Sequence, residues 1–224
     1  MGCCSSSEAA TADDSQTYQD ISLSCYPTAP TDGLVEQHKV HHVYDGDTLT
    51  LEGGKRVRLV GIDAPEIRER QPYAAESRDF LRALCPKGRA ILLQLMETER
   101  TDKYGRLLAY VYVKHPHRDD FICVNVAMVE KGLASLYLAR HGENTMKDAL
   151  SVAQIVARRE KRKTWENVDE SRTVVIGDHG KAFHRVGTKC IVKTHKVTVG
   201  EALDRLFSPC RRCKPFGVVA TGAS

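Results

Sequence analysis

One stretch, VYDGDTLTLEGGKRVRLVGIDAPE at residues 43–66, constrains the fold more than any other part of the chain. Apolar and polar residues alternate on both sides of its centre, which is the two-residue period of half-buried strands. Gly53 and Gly54 between the two halves are a hairpin-turn signal, and Pro65 ends the second strand because proline cannot donate to a ladder. The stretch therefore predicts a β-hairpin that enters a core, with a turn or bulge at DGD.

The rest of the chain to about residue 167 alternates between strand and helix patterns. We predict strands at AILLQLM, RLLAYVYV, FIC and LASLYL, and helices at 74–85, at NVAMVEKG and at TMKDALSVAQIVARREKRKTW. About five strands with helices between and after them favour an α+β fold, a small closed barrel of OB type. The 224 residues leave room for a second, smaller unit.

The first residues, MGCCSSSEAATADDSQ, match the pattern for N-myristoylation, with Gly2 as the acceptor. Cys3 and Cys4 are natural palmitoylation sites beside it, and a second acyl chain makes anchoring stable. We predict a disordered, acylated arm at 1–36 and attachment to the cytoplasmic face of a membrane, the plasma membrane being favoured. A plain polar arm is the alternative. The eight cysteines fall into separate groups, which indicates a reducing compartment rather than a disulfide framework.

Carboxylates in the opening stretch need a positive partner. If its strands pair, Asp47 after the turn and Asp63 at the strand end meet at one end of the barrel, where two close carboxylates repel unless a cation neutralises them. Oxygen donors favour Ca²⁺ or Mg²⁺, and the backbone carbonyl of Ala64 can complete the set. Glu66 is placed to hold a water as general base. Asp45 is read as turn chemistry.

Two arginines complete this candidate site. Arg58 precedes Asp63 on the same strand, and Arg106 begins a strand after the DKYG turn. Two guanidiniums facing a metal fit a phosphate diester, whose oxygens they bind bidentately and whose developing charge they stabilise. Each residue alone is as well explained by turn composition or a solvated strand face, so the interpretation rests on the set.

The set and its order resemble the staphylococcal nuclease (thermonuclease) family over residues 38–167. The motifs are VYDGDTLTL, VRLVGIDAPE, RTDKYGRLLAYVYV, VEKGLA and the basic helix that ends at Trp165. The resemblance implies a five-stranded OB-like barrel with three helices and Ca²⁺-dependent cleavage of DNA and RNA that leaves 3′-phosphates. It implies calcium ligands at Asp47, Asp63 and the Ala64 carbonyl, with Glu66, Arg58 and Arg106 catalytic. It also implies substrate contacts at Lys103 and Tyr104.

The chain departs from the family pattern at two places. Ala64 stands where the family has threonine, which keeps the backbone carbonyl and loses the hydroxyl. The tyrosine pair downstream of GLA is not kept, and Tyr137 lies in that neighbourhood as the candidate for base contact. The second departure bears on base stacking and sequence preference, not on the chemistry.

The C-terminal segment at 180–217 carries His184, Cys190, Cys210 and Cys213 in an H-x5-C…C-x2-C arrangement. Three thiolates and an imidazole suit a closed tetrahedral Zn²⁺ site, and a metal supplies stability to a unit with little core. The segment resembles small zinc-binding modules of Ada-like type, appended to bacterial nucleases. We predict a linker at 169–179 and a tail at 218–224; a chance CxxC in an unmetallated tail is the alternative.

The function predicted from these parts is a membrane-anchored, calcium-dependent nuclease at 37–168 with a structural zinc module, monomeric, acting on nucleic acid. Two alternatives stay open. One is a non-catalytic nucleic-acid or protein binder on the same scaffold, and the other is a membrane scaffold in which only the zinc module matters. The basic run ARREKRKTW is best explained as a solvated helix end, with a phosphate contact or a lipid contact as the alternatives.

Overall fold

The computed structural model describes residues 21–138 and 145–216. Five strands form a barrel: β2 Leu34–Asp45, β3 Thr48–Leu51, β4 Arg56–Leu59, β6 Ala90–Leu95 and β7 Leu107–Lys114. They close in the order β2–β3–β4–β7–β6, and β6 returns to β2. The pairings are antiparallel except β4 with β7, which is parallel. The prediction of an α+β chain built on a five-stranded OB-type barrel is confirmed.

The barrel closes around side chains that alternate inward along each strand. In β4, Val57 and Leu59 are buried while Arg56 faces solvent, and in β6 every second residue is buried. Helices α1 Ala74–Leu84, α2 Val124–Glu130 and α3 Lys147–Arg159 cover the barrel. Every residue of α2 is buried, since it packs against α1, α3 and β7. The predicted alternation and helix positions thus place one continuous core inside the barrel and under the helices.

Short elements connect the barrel to its surroundings. β8 Phe121–Cys123 extends the sheet beside β7, while β5 Ile62–Asp63 pairs with β9 Ser135–Leu136 outside the barrel. This second pairing matters for the site, because it holds Asp63 opposite Ser135. Among the described residues, no helix is both long enough and apolar enough to cross a membrane.

Part of the predicted N-terminal arm is folded. Ile21 lies in the core, β1 Cys25–Tyr26 pairs with β8, and β2 already begins at Leu34. The backbone N–H groups of Leu23 and Ser24 donate to the buried Glu130 carboxylate at 2.9 and 3.1 Å. The expectation of disorder is therefore wrong for 21–36, because one apolar side chain and one buried acceptor suffice to fix a polar segment. Gly2, Cys3 and Cys4 lie outside the described residues.

A second unit follows the barrel. Its sheet has the order β12–β10–β11–β13, from β10 Thr173–Ile176, β11 Ala182–His184, β12 His195–Thr198 and β13 Ser208–Pro209, with helix α4 Val199–Asp204. A capping box at Thr198 and Glu201 starts α4. The predicted linker at 169–179 includes β10, an inner strand of this sheet, because TVVI pairs on both edges. The predicted tail at 218–224 lies outside the described residues.

The two units share a core. Phe183, Val199 and Leu203 of the second unit pack in one cluster with Ala157 of α3 and with Trp165. Arg158 adds polar contacts, with its Nη2 2.7 Å from Glu170 and its Nη1 2.8 Å from Asp204. The second unit is therefore fixed against the last helix of the barrel unit rather than suspended from it.

Candidate active site

The acidic cleft, defined by Asp45, Asp47, Asp63 and Glu66, lies at the end of the barrel where β2, β3 and β4 meet β5. Arg58 lies within it. Its Nη2 is 2.9 Å from Asp47 Oδ2 and 3.5 Å from Asp63 Oδ1, so one guanidinium contacts both carboxylates. The side chains of Arg58, Asp47 and Asp63 are only 11%, 7% and 20% exposed. The structure thus brings together the three residues that the hairpin pattern was expected to bring together.

Backbone and hydroxyl donors fix the Asp47 carboxylate. Its Oδ2 accepts the Ala64 N–H at 3.1 Å and its Oδ1 accepts the Thr48 hydroxyl at 3.0 Å. Thr48 is also the strand partner of Arg58. Gly46 before Asp47 packs closely on Ser77 of α1 and on Ala64, where a side chain has no space. The DGD turn is therefore fixed by its packing on Ser77 and Ala64. The pairing of Thr48 with Arg58 then places the Arg58 side chain beside Asp47.

Arg58 is held by more than its carboxylates. Its Nη2 donates to the Ile62 carbonyl at 2.8 Å and its Nη1 to the Leu59 carbonyl at 2.5 Å. A guanidinium has five N–H donors in a rigid plane, so these bonds fix its orientation. Such preorganisation is what a group that stabilises developing charge requires.

Arg106 lies at the edge of the same region. Its Nε and Nη2 are both 2.7 Å from Asp102 Oδ2, and its Nη1 donates to the Thr48 hydroxyl at 3.3 Å. Partial burial would raise the pKa of Asp102, but hydrogen bonds from Arg106 and Tyr104 outweigh that effect and lower it. Through Thr48, Arg106 is joined to the Asp47 carboxylate. The two predicted arginines are thus linked to one carboxylate from two sides.

Lys103 and Tyr104 occupy the tip of the turn before Arg106. The Lys103 ammonium lies 5.0 Å from the centre of the Tyr104 ring, and the Arg106 guanidinium lies 5.6 Å from it. The ring is largely exposed, so it is open to contact from outside. The structure places both residues beside Arg106, on one side of the cleft.

Asp45 is a member of the cleft that the sequence interpretation assigned to the turn alone. Its Oδ1 does accept the Asp47 N–H at 3.3 Å, as a turn residue would. Burial, with repulsion from Asp47, also raises the pKa of Asp45 to about 6. The Asp-Gly-Asp spacing could have indicated that Asp45 belongs to the acidic cleft, because Asp45 and Asp47 flank a single glycine.

Glu66 lies at the solvent side of the cleft. Burial of part of the side chain raises its pKa, and the charges of Asp47 and Asp63 add to this rise. Its backbone N–H donates to the Gln71 side chain at 2.9 Å, which positions the start of the loop that follows. A carboxyl with a raised pKa beside other carboxyl groups is a group suited to taking a proton.

Arg211 of the second unit enters the cleft, which sequence reasoning missed. Its Nε donates to Asp63 Oδ2 at 3.0 Å and its Nη2 to Asp63 Oδ1 at 2.5 Å. The same guanidinium lies 4.2 Å from the centre of the Tyr137 ring. Tyr137 is therefore beside the cleft, as expected of a substrate residue, but its face is covered by an arginine.

The second unit brings His184, Cys190, Cys210 and Cys213 together. One ligand atom from each lies within 4.8 Å of all the others. Burial lowers the pKa of His184, which favours the neutral imidazole that binds metal. Three sulfurs and one nitrogen at such distances form a donor set of the kind that structural zinc takes. The residues predicted for zinc are thus clustered, and they fit a tetrahedral metal ion.

The fold and the cleft define a class: an OB-type barrel with carboxylates and arginines at one end. The family model described as staphylococcal nuclease homologue matches residues 56–167, half of the chain. An uncharacterized endonuclease of Escherichia coli is 34% identical over 134 residues, covering 58% of this chain and 78% of that protein. The thermonuclease of Staphylococcus intermedius is 34% identical over 116 residues, covering 49% of this chain and 64% of that protein.

A probable endonuclease of Schizosaccharomyces pombe is 35% identical over 116 residues, which is 49% of each chain. With a family match across half of its length and a relative of which it covers more than three quarters, the chain belongs to the staphylococcal nuclease family. The predicted family is thereby confirmed. The roles of the individual site residues stay predictions, to which the geometry above gives a physical basis.

Proposed function

We propose that this protein is a calcium-dependent nuclease that hydrolyses phosphodiester bonds of DNA or RNA to 3′-phosphate products. The observation that carries the proposal is the contact of one nearly buried guanidinium, Arg58, with both Asp47 and Asp63. The names of the relatives, endonuclease and thermonuclease, support the same class of reaction. A binder without catalysis has no need of charges held this far from water, since burying them costs free energy.

The charges of the cleft fit a divalent cation. Its four carboxylates face two guanidiniums, Arg58 and Arg211, which leaves two negative charges uncompensated when all the acids are ionised. Oxygen donors are the ligands of calcium, and Asp47, Asp63 and the Ala64 carbonyl would hold it. A calcium ion bound there would supply Lewis acidity toward a phosphoryl oxygen.

The chain's own side chains account for the remaining steps. Glu66 would accept a proton from a water as that water's oxygen forms a bond to phosphorus. The bond from phosphorus to the 5′-oxygen then breaks, and that oxygen leaves with a proton from solvent. Arg58 and Arg106 would donate hydrogen bonds to the phosphoryl oxygens while their negative charge increases. Lys103 and Tyr104, beside Arg106, would contact the neighbouring phosphate and sugar.

Cleavage of a single-stranded DNA oligonucleotide in Ca²⁺, against the same reaction in EGTA, tests the proposal. We expect Arg58→Ala and Arg106→Ala each to lower kcat by about 10²–10³-fold, the cost of removing one preorganised donor. Glu66→Gln should lower kcat by about 10²-fold or more, as for loss of a general base. Arg56→Ala is the matched control, because Arg56 lies on the same strand and faces solvent. Full activity in EGTA would refute the role of calcium.

The same assay separates this proposal from the non-catalytic alternative. A protein that binds the oligonucleotide in both buffers and cleaves it in neither would be a binder on the same scaffold. In that case the Arg58 and Arg56 variants would differ in affinity and not in rate. Product ends that carry a 5′-phosphate would contradict the proposed direction of cleavage.

A structural zinc ion in the second unit is part of the proposal. The clustered thiols and imidazole support it, and the unit's small core gives a metal a stabilising role. We expect close to one zinc per chain in the purified protein, and Cys213→Ser to reduce that content strongly. Zinc below half an equivalent in the unmodified protein would refute the assignment.

Membrane attachment through Gly2, Cys3 and Cys4 is also proposed, on the sequence pattern alone. One acyl chain gives reversible binding and two give stable binding. Gly2→Ala should therefore move the protein from the membrane fraction of expressing cells to the soluble fraction. Equal distribution of the two proteins would remove the anchor from the proposal.

A further inference from the structure

The loop that carries Arg211 is held on the barrel unit at both of its ends. Before it, the buried Ser208 hydroxyl donates to the Leu136 carbonyl at 2.9 Å. After it, the Lys214 ammonium lies 2.5 Å from Glu69 Oε2. Leu136 directly precedes Tyr137, so the loop is fixed next to the ring on which Arg211 lies. These contacts make Arg211 a fixed component of the cleft.

The same loop is also tied to the second unit, through the clustered cysteines and through backbone hydrogen bonds. Cys210 and Cys213 flank Arg211 and contribute two of the four clustered ligand atoms. The Cys210 N–H donates to the Phe183 carbonyl at 2.9 Å, and the Lys214 N–H donates to the Cys210 carbonyl at 2.9 Å, closing a tight turn. Arg211 therefore projects from a turn whose backbone is tied to the second sheet.

The three arginines of the cleft differ in how much of each is open to a ligand. Arg58 is 11% exposed and already donates to two backbone carbonyls. Arg106 is 23% exposed and pairs through two nitrogens with Asp102. Arg211 is 53% exposed. Two of its five N–H donors go to Asp63, so three remain without an acceptor among residues 21–138 and 145–216.

We propose that Arg211 is a substrate-binding residue of the nuclease site, supplied by the second unit to hold a phosphate of the nucleic-acid strand. The inference rests on the proposed nuclease function and adds to it a residue outside the region that the family model matches. Asp63 and the Tyr137 face set the plane of the guanidinium, and 53% of the side chain is exposed, so a phosphate can reach it.

The pair with Asp63 is compatible with calcium at the same carboxylate. An ionised carboxylate offers about four lone-pair sites; the two bonds from Arg211 occupy two of them, and the 3.5 Å contact of Arg58 with Oδ1 takes at most a third site. Stacking on Tyr137 keeps the guanidinium in place independently of Asp63. Arg211 and the cation therefore share Asp63 rather than exclude one another, and both present positive charge to the same phosphate-bearing strand.

Binding and cleavage of a fluorescent single-stranded oligonucleotide by the full chain test the inference. Binding is measured by anisotropy in EGTA, where no cleavage interferes, over a series of salt concentrations. Arg211→Ala should weaken binding by about tenfold or more, since a charge-assisted pair is lost. The slope of log affinity against log salt should fall by about 0.7, the value for one phosphate contact on a single strand. In calcium, KM should rise by a similar factor while kcat changes less than about threefold, as for a ground-state contact.

Arg212→Ala is the matched control, because it makes the same charge change one position further along the same loop, whereas the contacts with Asp63 come from Arg211. It should alter affinity and KM less than about twofold. Arg211→Lys keeps the charge without the planar fork and should fall between the two. Zinc content and melting temperature of each variant confirm that the loop is intact.

Each outcome decides the inference. Affinity and KM of Arg211→Ala within twofold of the parent, with zinc retained, would overturn it. So would a faster Arg211→Ala enzyme at low calcium, which would make the residue a competitor of the cation at Asp63. If the parent protein binds the strand without cleaving it and Arg211→Ala loses binding, the inference stands and the nuclease proposal falls. If neither binding nor cleavage occurs, both fall.

Discussion

Replacing Gly46 by alanine is the perturbation whose cost the structure defines most sharply. A Cβ at this position would lie 1.9 Å from Ser77 Oγ and 2.8 Å from Ala64 Cβ. Ser77 is fully buried on α1, and its hydroxyl donates to the Leu133 carbonyl at 2.8 Å. Because non-bonded heavy atoms prefer about 3.5 Å or more, the hydroxyl would have to withdraw by about 1.5 Å and lose that bond.

Two costs add to the total. Overpacking a close-packed site costs about 1–3 kcal/mol, and losing one buried hydrogen bond costs about 0.5–1.5 kcal/mol. We therefore expect Gly46→Ala to lower the free energy of unfolding by about 2–4 kcal/mol. For a chain of this length each kcal/mol lowers Tm by about 2–4 °C, so the expected decrease is roughly 4–16 °C. Because Gly46 joins Asp45 to Asp47, nuclease activity should fall as well.

Differential scanning calorimetry of four variants checks this reasoning: Gly46→Ala, Ser77→Gly, the two changes together, and Gly177→Ala. Gly177→Ala is the control, because its Cβ would meet neighbours only at 3.6 Å, an ordinary contact distance. Its Tm should stay within about 2 °C of the parent, as for a substitution away from special features. Adding Ser77→Gly to Gly46→Ala removes the two Ser77 atoms that clash and leaves the contact with Ala64 Cβ, so the two changes together should cost less than their sum. A parental Tm for Gly46→Ala would refute the account of the turn.

Two further predictions concern Arg158, which contacts the second unit, and Glu130, which binds the N-terminal segment. In urea unfolding, Arg158→Ala should lower the free energy of unfolding by about 1–2 kcal/mol, a value discounted because the acidic partners of Arg158 are partly exposed. Arg159 is its exposed neighbour, and Arg159→Ala should lower the free energy of unfolding by less than about 0.5 kcal/mol. Equal effects would contradict the role given to Arg158. Burial raises the pKa of Glu130 above its ordinary value of 4.5. The contribution of this shift to the free energy of unfolding is therefore complete below pH 4.5, and it is lost as pH rises through the folded-state pKa. The unfolding free energy of the parent minus that of Glu130→Gln should therefore decrease between pH 4.5 and pH 7, and a constant difference would contradict this.

The barrel and half of the cleft could be predicted because they are local. The residues from Asp47 to Glu66 lie on one hairpin and its exit, so strand alternation and the glycine turn already place the carboxylates at one end. Arg106 needed the family resemblance, since nothing in its own strand shows that it would pair with the Asp47 side of the cleft. The zinc ligands were predicted from ligand type and spacing, and the structure brings those four together.

Other features depend on contacts that no local pattern contains. Arg211 and Asp63 are 148 positions apart, and the CRRC motif is fully explained by its cysteines, so the arginine between them carried no signal of its own. Leu23 and Ser24 are fixed by the Glu130 carboxylate, more than a hundred residues away, although composition alone indicated a polar arm. In both cases a contact with a residue far away in the sequence fixes the segment, and a local sequence pattern does not show which distant residues will be in contact.

The shared core between the two units decides how the role of Arg211 can be tested. Removing the second unit would expose Trp165 and Ala157, which pack on Phe183 and Leu203. A buried aromatic contributes several kcal/mol, so such a truncation would loosen the end of α3 together with the cleft. Chelation of the proposed zinc ion would have a similar mixed effect, because the clustered cysteines lie in the loop itself. Loss of activity after either treatment would follow from unfolding alone, whereas a single side-chain change at Arg211 leaves both cores intact and changes only the charge that faces the substrate.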